Sequence, residues 1–305
     1  MRNAFTLIEL IITMVILSIV SYIASGVIAK TYISYNRVNT LHKANLKVEI
    51  AINSIANRLS YAISETIVKR KSFTNNAIES ISSAPSDYSV LEWVGYDIDG
   101  FEANNIKSGS LTSQPSSKPA WSGYCNIKAS SKTSIKTPGS DLAFAQNIIK
   151  RLSNGRADFS NSKVALFFPG NYSFRDIGYS NTLGGITGLA LVNSASYVNC
   201  TLNLTTPISR VTEHYKLAWS AYAVGTKNCT TNGCDLYLKY NFAPWTGRYY
   251  NASTTPEAIL ATNVTVFKTY ATENRVHIKL CVKENIGVNK TTSICKEKVV
   301  FKWQI

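Results

Sequence analysis

Residues Phe5 to Ala29, FTLIELIITMVILSIVSYIASGVIA, carry one charge, Glu9. As a helix rising about 1.5 Å per residue, the run extends about 37 Å, enough to cross a hydrocarbon core of about 30 Å. No second long apolar run follows, so the sequence predicts a single membrane span near the N-terminus. An acidic side chain inside such a span costs a few kcal/mol unless something neutralises it. Glu9 therefore demands a partner.

Met1-Arg2-Asn3-Ala4 followed by FTLIEL resembles the cleavage and N-methylation signal of type IV prepilins and type II secretion pseudopilins. The resemblance implies a leader of residues 1–4, a membrane peptidase that cuts between Ala4 and Phe5, and methylation of the new amine. Glu9 then faces the terminal amine of a neighbouring subunit in a pilus-like filament. Ala4 stands where the family usually has glycine, and Arg2 is the only charge of the leader. Lys30, Arg37, Lys43 and Lys47 follow the span and by charge alone favour a cytoplasmic C-terminus. Long domains translocate largely regardless of charge, and the resemblance implies an anchor in the cytoplasmic (inner) membrane with the head outside the cytoplasm. A cleaved secretory signal is the rival reading, since Ala24-Ser25-Gly26 offers small residues. Glu9 inside the apolar run and the short basic region before it fit that reading poorly.

The chain has 305 residues, 45% of them hydrophobic, enough for a sizeable core in one or two domains. A net charge of +14 predicts attraction to anionic surfaces, whether DNA, lipid headgroups or an acidic partner, without choosing among them. Cys125, Cys200, Cys229, Cys234, Cys281 and Cys295 all follow the span, as a disulfide framework in an oxidising compartment requires. Cys229 and Cys234 flank the turn-like TTNG, and Cys281 and Cys295 lie on two strands joined by ENIGVNKTTSI. Those local pairs leave Cys125 with Cys200 by elimination. Pairing Cys281 opposite Cys295 puts Ile278 opposite Lys298 and Leu280 opposite Lys296, so a bulge is expected to intervene.

Beyond the span, Val38, Leu41, Val48, Ile52, Ile55, Leu59 and Ala62 recur in steps that keep them on one side of a helix. The helix is expected to run from Phe5 to about Arg70, with Gly26 permitting a bend and Lys69-Arg70-Lys71 closing it at the negative end of its dipole. A short helix is expected at Asp141–Leu152 and strands at Tyr88–Tyr96 and Lys163–Pro169, with a loop at Ser108–Ala120. Further strands are expected at Leu189–Tyr197, Tyr215–Val224, Leu236–Phe242, Val264–Ala271, Val276–Val282 and Lys298–Trp303. The predicted class is α+β: a long N-terminal helix, membrane-spanning in its first half, packed on a C-terminal antiparallel sheet. This order resembles the pilin fold, with residues 5–70 as the helix and residues 71–305 as a disulfide-braced head.

No GxSxG, HExxH or glycine-rich phosphate loop occurs, and His42, His214 and His277 are scattered, so no enzyme and no cofactor are expected. The cysteines lack the paired spacings of a zinc site. Asp97, Asp99 and Glu102 form an acidic cluster that reads as a solvated turn ahead of a calcium site. Lys118, Lys128, Lys132, Lys136, Lys150, Arg151 and Arg156 face one acid, Asp141, in that part of the chain. With Trp121, Tyr124, Trp245, Tyr249 and Tyr250 around one groove, those cations would form a nucleic-acid contact; a solvated basic face is the plainer expectation. The resemblance favours a minor pilin or minor pseudopilin, with prepilin peptidase and other pilin-like subunits as partners. A DNA receptor or an adhesin subunit is the alternative.

Overall fold

The computed structural model describes residues 6–107, 116–179, 187–287 and 290–302. Helix α1 spans Leu7–Leu59 without interruption at Gly26. Its packed stripe is Ala44, Val48, Ala51, Ile52, Ile55, Ala56 and Leu59, all buried, at the three- and four-residue steps of one helix face. Val38 is exposed and Leu41 half-buried, so this face starts later than the apolar pattern predicts.

The helix also stops well short of Arg70. The Ser60 N–H closes the last turn on the Ala56 carbonyl at 2.9 Å, and the β-branched Ile63, Thr66, Ile67 and Val68 that follow favour extended backbone. Lys69 and Arg70 lie instead in a strand, β1 (Val68–Arg70), buried between two neighbours. The basic triplet is not a helix terminus.

The strands continue as β2 (Ile78–Ser80) and β3 (Val90–Gly95). After a short helix, α2 (Ile98–Glu102), come β4 (Asn104–Lys107), β5 (Ser116–Pro119) and β6 (Ser134–Lys136). Helix α3 (Leu142–Leu152) is capped by Asp141, whose carboxylate accepts from the Phe144 N–H. Then follow β7 (Ala165–Phe167), β8 (Ala190–Ser196), β9 (Thr201–Leu204) and β10 (Lys216–Ala218). The last five are β11 (Ser220–Thr230), β12 (Gly233–Phe242), β13 (Glu257–Thr272), β14 (Arg275–Gly287) and β15 (Lys290–Phe301). Every strand expected from the sequence has a counterpart, although Trp303 and residues 108–115 of the expected loop lie outside the described residues.

An eight-stranded antiparallel sheet has the order β15-β14-β13-β12-β11-β3-β1-β2. The second half of α1 lies across one face of it, where Val48, Ile52 and Ile55 share a core with Val276, Ile278, Leu280, Val282 and Val300. A five-stranded sheet, β10-β7-β8-β9-β6, packs with α3 into a second core around Trp121, Phe168 and Tyr215. A third cluster, including Val94, Phe167, Tyr179, Trp245 and Tyr250, joins residues of both sheets. The result is an α+β pilin-like fold, a long apolar helix followed by a large antiparallel sheet.

Cys281 pairs directly with Cys295 in the β14–β15 ladder, with Ile278 opposite Lys298 and Leu280 opposite Lys296 and no bulge among them. The two lysines fit on the apolar side because β15 is an edge strand and their stems reach past the core to α1. Lys296 Nζ lies 2.7 Å from Glu49 and Lys298 Nζ donates to Asn53 Oδ1 at 2.6 Å.

Candidate functional site

The site with the clearest chemistry is the first half of α1. All residues from Thr6 to Val38 are exposed, including Leu7, Ile8, Leu17, Ile23 and Ile28. Among the described residues α1 is the one helix long and apolar enough to cross a membrane, and none of its most apolar stretch is buried in the chain. A stretch this apolar and this exposed takes its surroundings from outside the molecule.

Glu9 nevertheless has a partner in its own chain. Thr6 is the N-cap: its Oγ1 accepts from the Glu9 N–H at 3.4 Å, while the Glu9 carboxylate accepts from the Thr6 N–H and hydroxyl, each at 3.0 Å. This is a capping box, which satisfies donors of the first turn and places negative charge at the positive end of the helix dipole. The TLIE spacing carries that signal, although the demand of Glu9 for a partner conceals it. Ala4 and Phe5 lie outside the described residues.

Two of the expected disulfides are present, Cys229–Cys234 and Cys281–Cys295. The third is not. Cys125 is a buried free thiol beside Ser130 Oγ at 3.3 Å, and Cys200 is a free thiol beside the Ser140 carbonyl at 3.2 Å. The peptide joining Lys136 to Thr137 runs between them, accepting from the Asn126 N–H on one side and donating to the Cys200 carbonyl on the other. With that peptide between them the two thiols remain apart.

The basic residues sit on separate elements. Lys128 is in a single 3-10 turn, Lys132 in the loop after it, Lys136 at the end of β6, and Lys150 and Arg151 in the last turn of α3. Trp121, Trp245 and Tyr250, the rings considered for stacking, are no more than 2% exposed. Base stacking needs an open ring face, so these three side chains belong to the core. Tyr124 remains exposed, at 39%.

The acidic cluster also divides. Asp99 and Glu102 are exposed, but Asp97 is buried and is held by two indoles. Trp121 Nε1 donates to Oδ2 at 3.1 Å and Trp219 Nε1 to Oδ1 at 3.0 Å. Burial pushes its carboxyl up to about 6 despite these donors. The solvated-turn expectation fails at Asp97, which ties the end of β3 to the second core. No group of three or more metal-ligating side chains occurs among the described residues. In the third cluster Arg70 forms a buried ion pair with Glu92, its guanidinium 4.6 Å from the Tyr250 ring centroid and 5.5 Å from that of Tyr179. Sequence alone gave no sign of that pair.

A family model described as the prokaryotic N-terminal methylation motif matches residues 1–24. The chain thus carries a type IV pilin-like prepilin signal at the start of a pilin-like fold. No curated protein and no solved structure matches the chain. The signal supports a type IV pilin-family subunit anchored in a membrane, and it implies processing by prepilin peptidase and assembly with other pilin subunits.

Proposed function

We propose that the chain is a minor pilin or minor pseudopilin, anchored in the cytoplasmic membrane by the first half of α1 and displaying its head outside the cytoplasm. Prepilin peptidase cuts between Ala4 and Phe5, and the released Phe5 amine becomes the cation for Glu9 of an adjacent subunit. The observation that carries this reading is the exposed first half of α1, whose one carboxylate is held, among the described residues, by its N-cap, within the matched motif. In the lone chain Thr6 supplies neutral donors. Inside an apolar bundle a matched positive charge adds a Coulombic attraction that a neutral donor lacks, and the low dielectric strengthens it. The role is assembly without catalysis, and growth or retraction of the filament moves cargo.

Mass spectrometry of the N-terminal peptide tests the processing step. The expected peptide begins at N-methylated Phe5. A mature chain beginning after Gly26 would contradict the reading and identify a secretory signal instead.

A further inference from the structure

Where the end of β3 meets β10, aromatic side chains enclose an open pocket of about 500 Å³, solvent-side space included, lined by Tyr96, Phe101, Trp121, Pro169, Tyr215 and Lys216. The walls hold one another: Phe101 lies 4.9 Å from the Trp121 ring, Tyr215 5.8 Å from it, and Tyr96 6.4 Å from it edge-on. Phe101 keeps 43% of its surface exposed, so the pocket has an accessible ring face. Gly123 beside the pocket has φ +71°, a backbone conformation that residues other than glycine rarely adopt.

The Lys216 ammonium and the His214 imidazole line this apolar space. Lys216 Nζ sits 5.3 Å from the centroid of the Tyr96 ring and enters no ion pair among the described residues. Burial pushes its ammonium down, and the Glu65 carboxylate opposes that without forming a direct contact. A half-buried ammonium whose direct partner is a ring face is poised for an anion, and the rings beside it suit a flat apolar body. Charge and shape together define a ligand class.

We propose that this pocket binds a small aromatic carboxylate, its ring against Phe101 and Tyr96 and its carboxylate on Lys216 Nζ. The site is separate from the membrane helix and stands whether or not Glu9 pairs between subunits.

Ligand-observed NMR on the detergent-solubilised full chain tests it, with benzoate and the uncharged benzamide as probes. Benzoate should give saturable binding in the millimolar range and bind about tenfold more tightly than benzamide. Lys216→Met should remove that difference, and Phe101→Ala should weaken both probes; circular dichroism establishes that each variant is folded. Lys216→Met in the same micelles also separates pocket binding from partitioning into detergent. The proposal is overturned by no saturable benzoate signal up to about 10 mM, by equal binding of the two probes, or by unchanged benzoate binding in folded Lys216→Met.

Discussion

The two halves of α1 are made for different surroundings. From Thr6 to Val38 every residue is exposed, and the only carboxylate is held by the residue that caps the helix. From Ala44 onward one stripe is buried on the large sheet, and Lys47, Glu49 and Asn53 reach across to Glu284, Lys296 and Lys298. A helix that is apolar all round takes its partner from outside the chain, whereas a helix with a stripe finds it inside. Carboxylates obey the same division. Glu92, buried in the head, has the Arg70 guanidinium, while Glu9 has only neutral donors among the described residues.

Changes in the head should therefore reduce stability, and changes in the first half of α1 should leave it alone. The largest effect is expected from Arg70→Met, which strands the buried Glu92 carboxylate at a cost of about 3–5 kcal/mol. Thermal unfolding of the solubilised chain measures it, and Arg70→Met combined with Glu92→Leu should recover much of the loss. A cost of the single change below about 1 kcal/mol would mean that the pair behaves as a surface contact.

Next comes a matched test along one helix. Ile55, fully buried, should lose about 2–5 kcal/mol on substitution by Ala. Ile16→Ala, at a position 55% exposed, should leave the unfolding temperature unchanged. Equal losses at the two positions would erase the distinction between the halves.

Asp97 predicts a pH dependence. Its folded value of about 6 lies above the ordinary 3.8, so between these values the folded chain binds more protons than the unfolded one. Stability from this group is thus greatest below that window and falls as pH rises through it, by up to about 3 kcal/mol. Asp97→Asn should remove this part of the pH slope in a thermal-shift series. A slope unchanged in the variant would assign it to other groups.

The smallest effects belong to the edge lysines. Lys296→Ala and Lys298→Ala should each cost less than about 1 kcal/mol, because partly exposed contacts gain little over water. Urea unfolding of the two variants measures this, and a loss comparable to that of Ile55→Ala would place these lysines in the core.

The helix, its apolar stripe, the main strands and two local disulfides were legible because each is encoded by neighbours in sequence: periodicity for α1, alternation for β13 to β15, and a short loop between each bonded cysteine pair. Interactions between distant residues were not. Lys69-Arg70-Lys71 reads as a helix end, because nothing in a basic triplet announces the Glu92 carboxylate that makes a buried strand tolerable. Asp97 reads as a turn residue until Trp121 and Trp219 converge on it from separate segments. Eliminating the local cysteine pairs leaves Cys125 with Cys200, but that reasoning cannot reveal the strand end lying between them. Of the membrane site, the single acid and its offset from Phe5 were plain, while the role of Thr6 emerged only with the cap geometry.

Crosslinking of Glu9→Gln to its partner subunits tests most directly whether the first half of α1 is completed by another chain. The substitution makes the helix more apolar, so insertion and cleavage before Phe5 should persist, and both are measured in parallel. Incorporation into the filament should fall. Unchanged crosslinking together with unchanged transport, in a processed and membrane-inserted variant, would contradict the pairing and leave the Thr6 cap as the whole role of Glu9.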